Sequence, residues 1–335
     1  MLERLVHGYY LFRASVLLAL SFLQAGWYFR FRAAGDLGLP PAQPLKAAEI
    51  RRWKHYFFGT TYLAVVFAAL NGHRRNRQER RLFSNLAALA CFFDDLADTF
   101  RPNDDSGISW KGNPEQYGRT ADPSGRALHF LQNIYEHLPP EHLAEFKQFM
   151  HRVFEVETAG RQQRSPAPDL PELARLTAEK GGYSVLLFRR VLALPLPAAE
   201  REALYAFGLL IQLCDDIFDL WFDRQTRTVT LATVLTEQHD LKGLRHLFEQ
   251  QVAATARAIR QTPYPAARVE TALRVVHFLV SITRVCLRHY GRLEKRLGGL
   301  PLDNRAAMVV DMARWANRWR AGWALMDWGM PKKAS

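Results

Sequence analysis

Three observations predict an all-α, single-domain fold. Apolar residues recur three and four apart through most of the chain, the spacing that lines one face of a helix. No segment longer than a few residues alternates with the period of two that a half-buried strand requires. Prolines collect between the periodic segments, at 40–41, 139–140, 166–171, 195–197 and 263–265, where they end helices rather than interrupt them. A chain of 335 residues, 48% of them hydrophobic, can bury one large core without dividing.

The spacing predicts helices over 5–32, 46–70, 77–99, 125–138, 141–162, 171–193, 199–223, 240–261, 265–297 and 303–323. Residues 1–45 form an N-terminal helix and linker. Between Arg13 and Arg30 every residue is uncharged, but the stretch is shorter than the about 20 apolar residues a spanning helix needs. A buried or interfacial helix is the preferred reading, with a span or a signal peptide cleaved near Ala25-Gly26 as the alternatives. Residues 101–124, rich in Gly, Pro, Asp and Asn, are the longest irregular stretch and suit a lid. In 303–335, Trp315, Trp319 and Trp323 recur every fourth position, with Arg314, Arg318 and Arg320 among them and Lys332 and Lys333 beyond. Such a stripe either faces the core or docks at a bilayer interface.

Charge and cysteine usage narrow the partners. The formal net charge is +12, which suits anionic substrates or an anionic membrane surface. Nucleic acid is excluded as the expected partner, because the basic runs form no recognisable nucleic-acid module and the acidic clusters described next would repel a phosphate backbone. Cys91, Cys214 and Cys286 have neither metal-binding spacing nor a disulfide framework. Two of them stand beside the acidic clusters, where a free cysteine packs as a small hydrophobe. A cytoplasmic location, peripheral at the membrane, is expected.

The chemistry lies in two copies of one pattern. Asp94-Asp95-Leu96-Ala97-Asp98 and Asp215-Asp216-Ile217-Phe218-Asp219 each close an apolar helical run, Leu86 to Phe93 in one and Gly208 to Cys214 in the other. On a helix the first and third aspartates share a face, with the second beside them. Carboxylates pointed from such runs into an apolar interior repel one another and stay poorly solvated unless cations meet them. Oxygen-only ligands suit Mg²⁺, which takes few carboxylates and keeps its other positions for water or phosphate oxygens. A Mg²⁺ cluster gripping a diphosphate follows, with all six aspartates as candidate metal ligands.

The pair resembles the two aspartate-rich motifs of class I isoprenoid synthases. Gln212-Leu213-Cys214-Asp215-Asp216-Ile217-Phe218-Asp219 resembles the second motif of trans-prenyltransferases, extended by Asp223. Lys180-Gly181-Gly182-Tyr183-Ser184, followed by Leu186-Leu187-Phe188, resembles their lysine segment. The likeness runs from about Arg74 to Leu235. It implies a helical bundle around a central cavity and Mg²⁺-dependent ionisation of an allylic prenyl diphosphate. Lys180 would contact the diphosphate, Gln212 would orient either a metal ligand or the first carbons of the hydrocarbon, and Asp223 would stand one turn further out. The arginine pair that family places after its first motif is reduced here to Arg101, a diphosphate clamp, and the basic segment near the start is replaced by Arg74, Arg75, Arg77, Arg80 and Arg81. That cluster is either a second diphosphate site, using Arg80 and Arg81, or a solvated helix start.

Prenyl transfer or condensation is therefore expected, with cyclisation or hydrolysis of one prenyl diphosphate as the alternative and a non-catalytic partner subunit as a third reading. In the family, aromatics four and five residues before the first motif hold chains short. Ala90 and Leu89 occupy those places, so a substrate of at least about fifteen carbons is expected, its chain running past Asn85, Leu86 and Ala87. Phe92 and Phe93 are assigned to core packing. A prenyl diphosphate, a membrane surface and a second copy of the chain, as a homodimer, are the expected partners.

Overall fold

A computed structural model of the chain describes residues 2–39, 44–99, 123–162, 169–310, 317, 319 and 320, with the backbone alone at 2–4, 94–99, 123–124 and 158–162. The fold is all-helical, and no strand occurs among the described residues. In order come α1 (Leu2–Tyr28), a π-helical turn (Phe29–Ala33), α2 (Ala34–Asp36), α3 (Ala47–Asn71), α4 (Arg77–Thr99), α5 (Pro123–His137) and α6 (Pro140–Gln162). Then follow α7 (Leu170–Arg190), α8 (Ala198–Phe218), α9 (Leu220–Thr226), α10 (Leu231–Glu237), α11 (Leu241–Arg260), α12 (Ala266–Leu297) and α13 (Arg305–Met308). Backbone contacts group the chain into two compact units, one made of 1–15, 159–185 and 197–335, the other of 16–158 and 186–196.

Most predicted helices are present within a few residues. Among the described residues the prolines at 139–140, 195–197 and 263–265 stand at helix boundaries, as expected; those at 40–41, 166 and 168 lie outside the described residues. Pro140 opens α6 and Pro123 opens α5, first-turn positions whose missing N–H needs no intrahelical partner. Three predictions need correction. The helix expected over 199–223 breaks at Asp219, which leaves the helical region (φ −93°, ψ 8°). The helix expected over 303–323 is interrupted after Met308, where Val309 is extended (ψ 117°); of the positions from 311 to 323 only 317, 319 and 320 are described, and they are helical. The short α10 was not foreseen. It is nucleated by Thr230, whose hydroxyl accepts from the Thr233 N–H at 3.2 Å while the Thr233 hydroxyl accepts from the Thr230 N–H at 2.8 Å.

In the second unit α4 packs against α3 and α5. Phe67 meets Phe83 at 6.5 Å between ring centroids and Phe92 meets Phe130 at 5.6 Å. Phe92 and Phe93 are buried and serve the core, as expected. A capping box starts α4: the Glu79 N–H donates to Asn76 Oδ1 at 2.9 Å, and the Asn76 N–H donates to Glu79 Oε2 at 2.8 Å. Buried Glu79 also accepts from the Ala193 N–H at 2.9 Å and meets His73 Nε2 at 2.8 Å. One carboxylate thus caps a helix and ties down a distant turn.

In the first unit α8, α11 and α12 pack together over Phe207, Leu210, Leu213, Leu244, Phe248, Val276 and Val280, all buried. Gln251 Nε2 and Thr255 Oγ1 both donate to the Ala206 carbonyl, at 2.8 and 3.0 Å, which fixes α11 on α8. Cys91, Cys214 and Cys286 are buried free thiols, as expected of small apolar side chains.

Glu79→Ala should lower stability to urea by about 3 kcal/mol, because a cap and charge-assisted bonds to a buried carboxylate are lost together. Glu79→Gln should retain part of that, since an amide oxygen still accepts. Equal midpoints for wild type and Glu79→Ala would remove Glu79 from this role.

Candidate functional site

The second acidic motif is assembled where two helices touch backbone to backbone. A Cβ on Gly181 of α7 would lie 2.1 Å from the Gly208 carbonyl oxygen of α8, and one on Gly208 would lie 2.2 Å from the Gly181 oxygen. A Cβ on Gly182 would meet the Tyr205 ring at 2.4 Å. Each glycine inside a helix costs about 1 kcal/mol relative to alanine, so three at one crossing need a packing reason. The reason is this approach, which leaves no room for a Cβ between the two backbones. The sequence displays these glycines openly, but their pairing is a tertiary fact.

Lys180 precedes the crossing by one residue and is half-buried. Gln212 follows Gly208 by one turn, and its Nε2 donates to Asp216 Oδ1 at 2.9 Å and lies 3.5 Å from Asp215 Oδ2. Gln212 is thus bonded within the acidic motif itself. Not every aspartate of the motif enters the apolar interior, however: Asp215 and Asp219 are exposed, and Asp216 alone is buried, at 4%.

The break at Asp219 leaves the acidic row intact. The Asp219 N–H still bonds the Asp215 carbonyl, and the Asp223 N–H bonds the Asp219 carbonyl, both at 2.8 Å. Positions 215, 219 and 223 therefore remain one turn apart. Tyr290 of α12 donates its hydroxyl to the Ile217 carbonyl at 3.1 Å, just before the break. Leu213, Cys214, Ile217 and Leu220 form a buried apolar backing. Burial there pushes the Cys214 thiol up to about 12.

Electrostatics single out the row. The Asp216 carboxyl is pushed up to about 7, chiefly by burial; the bond from Gln212 and the charge of Lys180 oppose this, while Asp215 and Asp219 reinforce it. Asp223 is likewise raised to about 7, by burial first and then by Asp216, Asp219 and Asp215, with Lys180 opposing. Four carboxylates thus share a neighbourhood in which Lys180 acts on two of them.

The first motif lies on α4, whose backbone is helical through Asp94, Asp95 and Asp98; their side chains fall outside the described residues, as does all of Arg101. The residues before it are engaged elsewhere. Asn85 donates to the Asp36 carbonyl at 3.0 Å and accepts from Asn133 at 3.3 Å, and Leu86, Ala87 and Leu89 are buried, while Ala90 is partly exposed. Arg81 donates to the Asp36 carbonyl at 3.2 Å and Arg80 to the Arg75 carbonyl at 2.7 Å. Arg80 therefore holds the backbone just before α4, and Arg81 ties α4 to the end of α2. Two open clefts elsewhere in the first unit are lined by Arg245, Arg288, Arg292, Lys295 and Arg320, and by Arg224 and 300–306; neither includes the aspartates of the second motif.

Among the described residues no three carboxylate, imidazole or thiolate groups converge on one point. Mg²⁺ does not require that, since it is usually held through one or two carboxylates plus substrate phosphates. A row of oxygen donors, two exposed and two pushed up in pKa by burial and mutual repulsion, fits such an ion. No family model, curated protein or solved structure matches the chain.

Two outcomes follow. Gly208→Ala or Gly181→Ala should destabilise the protein by about 2 kcal/mol or more in chemical denaturation, because the added methyl meets backbone that cannot step aside. For Asp216 the folded pKa lies above the unfolded one. Its contribution to stability is therefore fully present below about pH 4 and is lost as pH rises towards 7. Asp216→Asn should remove that loss and raise the stability of the metal-free protein at pH 8, on the order of 2 kcal/mol. Thermal unfolding across pH 4 to 8 reads it. Parallel curves for variant and wild type would mean that Asp216 is not strained.

Proposed function

We propose that this chain is a Mg²⁺-dependent class I isoprenoid synthase that ionises an allylic prenyl diphosphate of about fifteen carbons or more for prenyl transfer or condensation. The observation that carries this reading is the aspartate row 215, 216, 219 and 223 with Lys180 delivered beside it by the glycine crossing. Acidic residues on a solvated face are not normally set on a buried shelf beside a lysine that a close helix contact holds in place.

The residues divide the work. Asp215, Asp216 and Asp219 would hold the metal, and Asp223 would support them from the next turn; Asp94, Asp95 and Asp98 of the first motif are assigned metal binding from the sequence pattern alone. Bound Mg²⁺ would supply neutralisation of the charge that develops on the departing diphosphate. Gln212 fixes one oxygen of Asp216, so the carboxylate is oriented before any ligand arrives. Lys180 would donate to a phosphate oxygen. Ionisation breaks the bond between C1 of the prenyl chain and the diphosphate oxygen, and the electron pair leaves with the diphosphate. The cation left behind is delocalised over the allyl group. A second double bond attacks it in condensation, its π electrons forming the new carbon–carbon bond. The resulting cation loses a proton, which the departed diphosphate can accept, to restore a double bond.

One observation favours a second reading, in which a single prenyl diphosphate is cyclised or hydrolysed. Arg80 and Arg81 are bonded to backbone carbonyls, so the arginines suggested for a second diphosphate have a local structural role. Incubating the protein with Mg²⁺ and geranyl, farnesyl or geranylgeranyl diphosphate, with and without isopentenyl diphosphate, separates the two. Pyrophosphate release that requires isopentenyl diphosphate, or release without it that yields a product longer than the substrate, means condensation. Release without it that yields a product of the substrate's own carbon number means the second reading. No release from any substrate overturns both.

Asp95→Ala and Asp215→Ala should each cut pyrophosphate release by about a thousandfold or more while the helical circular dichroism is kept. Lys180→Ala should weaken binding of Mg²⁺-pyrophosphate by roughly tenfold in calorimetric titration. Unaltered turnover in both aspartate variants would remove the acidic motifs from the site.

A further inference from the structure

The outer face of α1 is an apolar stripe that stands exposed among the described residues. Leu5, Tyr9, Phe12, Val16, Leu20, Leu23, Trp27 and Phe31 follow one another at helical spacing, and all are exposed, Phe12 at 69% and Leu23 at 70%. The opposite face is spoken for. Ala14, Ala25, Tyr28 and Ala33 are buried, Phe22 stacks on Phe58 at 6.0 Å, Tyr28 on Phe57 at 5.9 Å, and Phe29 lies 4.6 Å from Trp53 of α3. A helix apolar on both sides, covered on one, leaves the other for an apolar phase.

We infer that α1 is an in-plane membrane anchor, which seats the stripe from Leu5 to Phe31 in the interfacial layer of an anionic lipid bilayer. Charge points to that occupant. No acidic residue lies between Glu3 and Asp36, whereas Arg13, Arg30 and Arg32 stand at the two ends of the uncharged stretch. Arg13 lies over the Tyr9 ring at 5.6 Å and Arg30 over Phe31 at 5.4 Å, so their stems follow the stripe while their heads remain free to reach lipid phosphates. Aromatic rings gather near both ends, as they do at membrane–water boundaries.

The region Leu5–Asp36 is long and apolar enough to cross a membrane, but two features set it in the plane. Arg13 and Arg30 bracket a stretch of roughly 25 Å, short of the about 30 Å hydrocarbon core. Its inner rings are also stacked on α3, whose exposed Arg51, Arg52, Lys54 and His55 could not follow it into hydrocarbon. A supercoiled pair with a second copy is disfavoured by the repeat. Eight positions from 5 to 31 recur roughly every 3.7 residues, which keeps the stripe straight along the helix, whereas a left-handed coiled coil needs about 3.5.

Flotation of the full chain with phosphatidylcholine vesicles, with and without phosphatidylglycerol, tests the anchor without any substrate. Binding is expected with the anionic lipid and should weaken with salt. The double substitution Leu20→Glu and Leu23→Glu should reduce it by about tenfold or more, with circular dichroism unchanged because both positions face solvent in the free protein. A fluorophore on Leu23→Cys should be quenched by nitroxides near the headgroups more than by those at mid-bilayer. Absence of flotation, binding indifferent to the two glutamates, or strongest quenching at mid-bilayer would each overturn the inference. So would a dimer in sedimentation equilibrium that fails to bind vesicles and that the glutamates dissociate, since the stripe would then belong to a second copy.

Discussion

Where Gly181 meets Gly208, two helices pass so closely that no side chain fits between them. Everything at the acidic motif depends on that contact. Lys180 stands one residue before it on α7, and Gln212 one turn after it on α8, so the approach of the backbones places a cation and an amide beside Asp216. With larger residues at the crossing, α7 would stand off and the influence of Lys180 would fall with distance. The lysine's place is therefore a property of two glycines, neither of which has any chemistry of its own.

The shelf beneath the row is the second half of the design. Asp215 and Asp219 face solvent while Leu213, Cys214, Ile217 and Leu220 are buried behind them, so one short stretch carries both charge and core. The break at Asp219 does not scatter the carboxylates, because the backbone bonds from Asp219 to Asp215 and from Asp223 to Asp219 survive it. Tyr290 holds the Ile217 carbonyl from α12 at this point. Burial of Asp216 keeps its carboxyl uncomfortable without a cation, the electrostatic condition that a metal and a diphosphate would relieve. The organisation favours binding over stability.

At the N-terminus the apolar residues serve two environments. Phe22, Tyr28 and Phe29 stack on α3, and the stripe from Leu5 to Phe31 does not. In the sequence both sets look alike, since each is apolar and each recurs at helical spacing. The choice between a buried and an interfacial helix is open in the sequence for that reason; among the described residues the outer face stands exposed. Trp319 repeats the lesson at the other end, exposed at 58% where a core-facing stripe was one of two readings; Trp315 and Trp323 lie outside the described residues.

The sequence by itself determined the elements and the chemistry on offer. Apolar spacing and proline breaks marked nearly every helix, because both act within a few residues of chain. The repeated aspartates after apolar runs marked the carboxylates for the same local reason. Local pattern failed where local geometry is a compromise, at Asp219, at Val309 and in α10, whose start rests on a threonine capping pair rather than on apolar period. Only tertiary structure decided which aspartate is buried, that Gln212 serves Asp216, that Arg80 and Arg81 hold backbone carbonyls, and that three helix-interior glycines form a crossing. The burial of Asp216, the Arg81 bond to Asp36 and the glycine crossing turn on residues far along the chain or on what covers a face. The Gln212 and Arg80 bonds are rotamer choices that a residue pattern does not record. Desolvation and close approach are set by neighbours in space, and a one-dimensional pattern records only neighbours in sequence.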